Sequence, residues 1–108
     1  MTELRQIDKE IAQRVFGAVV VSRSTEDDLW EKYEHFSRPL RCFTFNHQDA
    51  WYAFEYLKTG PSVKVIVQWG IFRDNRWAVA ISQRLLYYLE YGKTIPEALC
   101  KAILAYKK

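Results

Sequence analysis

Residues 63–82 are VKVIVQWGIFRDNRWAVAIS. Two runs of β-branched and aromatic residues flank Asp74-Asn75, a pattern that predicts an antiparallel hairpin with a two-residue turn. A turn there sets Phe72 opposite Trp77 and Trp69 opposite Ala80, and the two pairs fall on opposite faces. Ile66, Phe72, Trp77, Val79 and Ile81 then compete with Val65, Val67, Trp69 and Ala80 for the core. A sheet apolar on both faces needs cover on both. The hairpin therefore predicts an α+β, three-layer α/β/α sandwich: a small, mainly antiparallel sheet built around 63–82, with helices on both faces.

The flanking sequence supplies the helices. Leu4, Ile7, Ile11 and Val15 recur at helical spacing and predict a helix over 3–16, with Gly17 as its stop. Asp8 falls beside that apolar stripe and is expected to bond a neighbouring backbone N–H. Residues 18–22, AVVVS, read as a short strand. Ser24 or Thr25 then caps an expected helix over 26–37, with Leu29, Tyr33 and Phe36 inward and Glu31 and Glu34 on a solvated face. The acidic run Glu26-Asp27-Asp28 complements that helix's N-terminal dipole. Residues 41–45, RCFTF, alternate like a strand. Asn46 caps a helix with Ala50, Trp51, Phe54 and Leu57 on its apolar face, closed by Gly60-Pro61. Residues 82–92, SQRLLYYLEYG, suit either a helix or a Tyr-rich strand, and the cap-like Ser82 and Gly92 favour the helix. In KTIPEALCKAIL, 93–104, Thr94 and Glu97 have capping-box spacing and Pro96 lies in the first turn. Ile95, Ala98, Leu99, Ala102, Ile103 and Tyr106 share one face of this last helix, and Cys100 lies off it.

Composition fits a single globular domain over 1–108. The chain is 49% hydrophobic, 27% charged and 16% aromatic, with a net charge of +3. That length can enclose a core, and the charge permits weak attraction to acidic partners without demanding nucleic acid. Two cysteines in such a chain are expected to be free, as in a reducing compartment. No apolar run reaches the roughly 20 residues that span a bilayer, and the charged opening MTELRQIDKE has no apolar signal region. The expectation is a soluble cytoplasmic protein with no membrane partner.

Thr94-Ile95-Pro96-Glu97-Ala98-Leu99-Cys100-Lys101-Ala102 resembles the C-terminal T-x-P-E-A-I-C-R-A-A-L helix of the phage ABA sandwich domain family. Two further stretches are similar to that family in the same order. IDKEIAQRVFG, 7–17, matches its opening I-D-x-x-V-A-E-K-V-M-G. Phe43-Thr44-Phe45-Asn46, leading to Ala50, Trp51, Phe54 and Leu57, matches its Y-S-T-D segment and the following A-W-x-x-V-x-x-L. The resemblance implies an α/β/α sandwich of phage or prophage origin, in a family without an assigned activity, and it brings no catalytic residues.

The residues themselves point to no catalytic centre. The glycines at 17, 60, 70 and 92 are scattered, so no phosphate loop is present. Cys42 and His47 lack the further ligands of a zinc site, and no cofactor is expected. The surplus aromatics carry the functional expectation, because Tyr and Trp are favoured anchors at protein interfaces. Tyr87, Tyr88 and Tyr91 cannot all face a core. They predict a non-catalytic binding module for a protein partner or a second copy, and the phage resemblance suggests an inhibitor of a host or defence protein. A nucleic-acid-binding surface over 64–84 is the alternative, with Arg73, Arg76 and Arg84 interleaved with Trp69, Phe72 and Trp77.

Overall fold

The computed structural model of the chain describes residues 2–57, 63–70, 76–83 and 86–107. Within them the order is α1 (Glu3–Arg14), β1 (Val19–Ser22), β2 (Leu29–Lys32), β3 (Ser37–Pro39), α2 (His47–Leu57), β4 (Val63–Gly70), β5 (Arg76–Gln83), β6 (Leu86–Gly92) and α3 (Ile95–Lys107). The strands form two three-stranded antiparallel sheets, β1-β2-β3 and β4-β5-β6. The fold is α+β.

Helix α1 starts where expected, with the Thr2 hydroxyl accepting from the Arg5 N–H at 3.2 Å. The helix ends at Arg14, and the chain turns away at Gly17, whose φ of 75° is open to a residue without Cβ. The Gly17 and Ala18 N–H groups bond back to the Gln13 and Ala12 carbonyls, satisfying orphan acceptors of the last turn. Helix α2 also starts as expected: the Asn46 side chain accepts from the Asp49 N–H at 3.1 Å. The Gly60-Pro61 stop lies outside the described residues.

The hairpin at 63–82 forms in a different register from the one a two-residue turn dictates. Trp69 faces Trp77, Val67 faces Val79 and Val65 faces Ile81. The turn at Asp74-Asn75 itself lies outside the described residues. Face sorting explains the displacement. Each strand alternates apolar residues at odd numbers, and the observed register sets odd opposite odd. Val63, Val65 and Val67 therefore share one face with Trp77, Val79 and Ile81. A tight turn at 74–75 would pair odd with even and split the set across both faces. Burial of this combined face outweighs the preference for a short turn.

Three other segments depart from the sequence expectations. Residues 26–37 are not helical; they hold β2 and the turn into β3. The spacing of Leu29, Tyr33 and Phe36 imitates a helix, but burial alternates along β2, with Leu29 and Glu31 inside. The acidic run 26–28 lies in the β1–β2 turn and caps no helix. Asp28 accepts from the Ser24 N–H and from Trp30 Nε1, and these bonds hold its carboxyl below the usual range. Residues 41–45 form a turn instead of a strand, closed by the Phe45 and Asn46 N–H groups on the Cys42 carbonyl. Of the 82–92 segment, the described residues are strand and not helix: 82–83 end β5, and β6 (86–92) pairs along β5, with Tyr88 opposite Ile81 and Leu89 opposite Ala80.

Helix α3 packs against β5 and β6 and also against α1 and α2. That double contact buries Ala98, Leu99, Cys100, Ala102 and Ile103 completely. Cys100 is thus a core residue despite lying off the apolar stripe, because the buried arc is wider than the stripe. Burial pushes its thiol pKa well above the ordinary value. Both cysteines are free, Cys42 exposed and Cys100 buried. The Thr94 hydroxyl accepts from the Glu97 N–H at 3.3 Å, as the capping box requires. The Glu97 carboxylate takes the Lys93 N–H, one residue before the expected Thr94.

Candidate functional site

The outer face of the β4–β6 sheet, opposite the Val65–Ile81–Tyr88 row, carries large apolar side chains in the open. Ile66, Ala80 and Leu89 form one cross-strand row. Lys64, Ser82 and Tyr87 form the next. Ile66 is 45%, Leu89 50% and Tyr87 66% exposed. Scattered exposed apolar residues are ordinary, but adjacent ones on a regular sheet make a patch. Strand β6 is also a sheet edge, paired only with β5 among the described strands.

The three tyrosines separate as strand alternation requires. Tyr87 is open. Tyr88 points inward and is half-buried, with its ring edge-on to Tyr106 at 5.4 Å. Tyr91 lies on the outer face opposite Ala78 and is half-buried. Arg73 and Arg84 lie outside the described residues. Arg76 is exposed and lines a cavity of about 370 Å³ with Glu3, Lys93 and Glu97. Lys64 lies one row from one end of the hairpin ladder, opposite Ser82, and Arg76 lies at the other end, opposite Gly70, so most of the sheet's length separates them.

A second constellation is built from residues that sequence reasoning assigned to core or solvent. Glu31 is fully buried. Its carboxylate accepts from Arg41 Nε at 3.0 Å, Arg41 Nη2 at 2.9 Å, the Arg41 N–H at 2.8 Å and the Tyr33 hydroxyl. Burial alone would raise the Glu31 pKa, but these bonds outweigh it and hold the carboxyl below its usual range. Burial and the neighbouring carboxylate push Tyr33 up to about 12, so its phenol stays protonated. The forked pair is the geometry in which a buried ion pair is satisfied.

Aromatic rings surround this pair. Phe43, Phe16 and Tyr52 stack in sequence, each step 5.7 Å between centroids and within 16° of parallel. The Arg41 guanidinium lies 4.4 Å from the Phe16 centroid. Phe36 stacks on Tyr33 at 4.7 Å. Between these groups opens a cleft of about 290 Å³ lined by Phe16, Phe36, Arg38, Arg41, Tyr52 and Tyr56. Helical spacing at 26–37 concealed it, because the cleft exists only when Glu31 and Tyr33 belong to a strand and its turn. One sequence signal could have found it: a strand reading of Leu29–Lys32 places Glu31 inward, and a buried Glu needs a cation.

Asp8 fills the structural role expected of it. Its carboxylate accepts from the Thr44 N–H at 2.8 Å and from Arg5 Nη1 at 2.8 Å. Arg5 also donates to the Leu40 and Arg41 carbonyls. Together they pin the 40–44 segment to α1. No group of three or more His, Cys, Asp or Glu side chains among the described residues could hold a metal ion. No described helix is long and apolar enough to cross a membrane.

No curated protein matches the chain. The fold is similar to the 2.0 Å crystal structure of a phage protein from Bacillus cereus ATCC 14579, with a TM-score of 0.74. That likeness covers 97% of this chain and 92% of the other at 22% identity, which establishes a common fold. The phage ABA sandwich domain matches residues 9–104, the span that runs from α1 through the cap of α3 to Leu104. The chain belongs to the phage ABA sandwich domain family.

Proposed function

We propose that this phage-family protein is a non-catalytic binding module that docks a protein partner on the outer face of the β4–β6 sheet. The observation that carries the reading is the contiguous exposure of Ile66, Leu89 and Tyr87 beside the edge strand β6. Such a face presents an aliphatic centre, an aromatic anchor and a border strand that pairs on one side only among the described strands, elements by which strands recruit strands. The partner that suits it is a protein with an apolar strand or sheet face. In a phage protein this favours inhibition or redirection of a host or defence protein.

The test pairs two measurements on Tyr87→Ala. Thermal melting is expected to change little, since exposed substitutions usually stay within about 0.5 kcal/mol. Capture of the host partner, or self-association in sedimentation, is expected to weaken by more than about 1 kcal/mol, as for an interface anchor. Unchanged association with unchanged melting contradicts the reading.

A further inference from the structure

We infer that the aromatic cleft above the Glu31–Arg41 pair is a nucleotide site, taking a base by stacking on Tyr52 and a phosphate on Arg38 and Arg41. The inference stands on different residues from the sheet face and does not depend on it.

The stacking side comes first. Phe43 is fully buried, Phe16 is half-buried and Tyr52 is 54% exposed. The near-parallel stack of these three rings thus runs from the core to the surface and ends at an open ring. A flat heteroaromatic ring continues such a stack, and every nucleobase has the π-face it needs. Phe36 and Tyr56, both exposed and both lining the cleft, offer further ring surface.

The charge side is independent of the rings. Arg38 faces Glu31 across the β2–β3 ladder and lines the cleft, yet it has no ion-pair partner among the described residues. The Glu31 carboxylate is instead committed to Arg41. Arg41 is itself 10% exposed, and its Nε and Nη2 are used by Glu31 and Tyr33. Its Nη1 makes no hydrogen bond among the described residues and is not enclosed in the protein. Two guanidinium groups and one carboxylate leave the lining net positive. Tyr33, protonated up to about 12, does not offset that charge. Free guanidinium donors beside stacked rings suit the phosphate of a ligand whose base lies on those rings. A cleft of about 290 Å³ has the scale of a small-ligand site. The buried fork to Glu31 fixes Arg41 in place, so little side-chain freedom is lost on binding.

The ligand chemistry is a base with a phosphate, whether from a free mononucleotide or from the end of a single strand. Isothermal titration with adenosine 5′-monophosphate, adenosine, inorganic phosphate and a 5′-phosphorylated single-stranded oligonucleotide tests it. The monophosphate is expected to bind, and adenosine and phosphate alone to bind at least about tenfold more weakly. Arg38→Gln is expected to lower monophosphate affinity about tenfold and leave adenosine unchanged, while Tyr52→Ala lowers both. Tyr87→Ala on the sheet face is expected to leave all four unchanged, which separates this site from the protein-docking surface. A stronger response to the oligonucleotide identifies the strand end as the source, and an equal or weaker one identifies the free nucleotide. No heat from any nucleotide at millimolar concentration overturns the inference. So does nucleotide binding indifferent to both Arg38→Gln and Tyr52→Ala in folded variants, or binding of an acidic peptide where nucleotides fail.

Discussion

Glu31 and Arg41 show how one residue pair organises a region. A carboxylate with no exposed surface is tolerable only while its hydrogen bonds are complete. Arg41→Ala leaves that charge buried without its cation, and we expect a loss of about 3–5 kcal/mol in denaturant unfolding. The pair also sets a pH dependence. The folded pKa of Glu31 is held below its ordinary 4.5. Its contribution to stability is therefore complete above the unfolded value and is lost as pH falls through the lower, folded value. Unfolding followed below the ordinary glutamate value should show a steeper fall in the natural protein than in Glu31→Gln. Parallel curves for the two would contradict the assignment. Gly92 is a second decisive residue. A Cβ there would lie 2.7 Å from the Ala98 backbone nitrogen and 2.6 Å from Glu97 Oε2. The carboxylate can swing away but the backbone cannot, so Gly92→Ala should cost about 1–3 kcal/mol and lower the melting midpoint.

At the scale of elements, the caps and the apolar periodicities of α1, α2 and α3 are local properties, and they were legible. Thr94→Ala should lower stability by about 1 kcal/mol, because the hydroxyl holds the Glu97 N–H at the start of α3. A melting midpoint unchanged by that substitution would count against the cap. What sequence periodicity missed has one physical origin. The strands β2, β3 and β6 are short or edge elements whose conformation is decided by a partner strand. Leu29, Tyr33 and Phe36 fit a helix locally, and only pairing of β2 with β1 and β3 selects the extended form. Tyr87 and Tyr88 likewise become an outer and an inner residue once β6 lies along β5. The β4–β5 register depends on both strands together, so turn chemistry at Asp74-Asn75 could not supply it. Nuclear Overhauser contacts between Val65 and Ile81, and between Val67 and Val79, are expected from the observed pairing. Contacts from Trp69 to Ala80 in their place would restore the register of the tight turn. The aromatic cleft was hidden for the same reason as β2, while the exposed tyrosine of the sheet face was visible in the sequence as an excess of rings.

Across the whole molecule, α3 connects the parts. It meets β5 and β6 on the sheet side and α1 and α2 on the other, and its cysteine is inert because it is enclosed. The two candidate surfaces have different architecture. The sheet face is a regular strand surface with Ile66, Leu89 and Tyr87 exposed and β6 at its border, whereas the cleft is concave, aromatic and cationic. Open surfaces with exposed aromatic and aliphatic side chains suit protein partners, and concave sites with a few polar groups suit small ligands. The central claim, that the β4–β6 face is where this phage-family protein meets another protein, is tested most directly by tyrosine-selective surface labelling with peptide mapping. The protein is labelled alone and in its partner-bound or self-associated state, with Tyr52 in the cleft as an internal reference for an exposed ring. Tyr87 is expected to label readily in the free protein and to be protected in the associated state, while Tyr52 labels in both. Equal labelling of Tyr87 in the two states would contradict it.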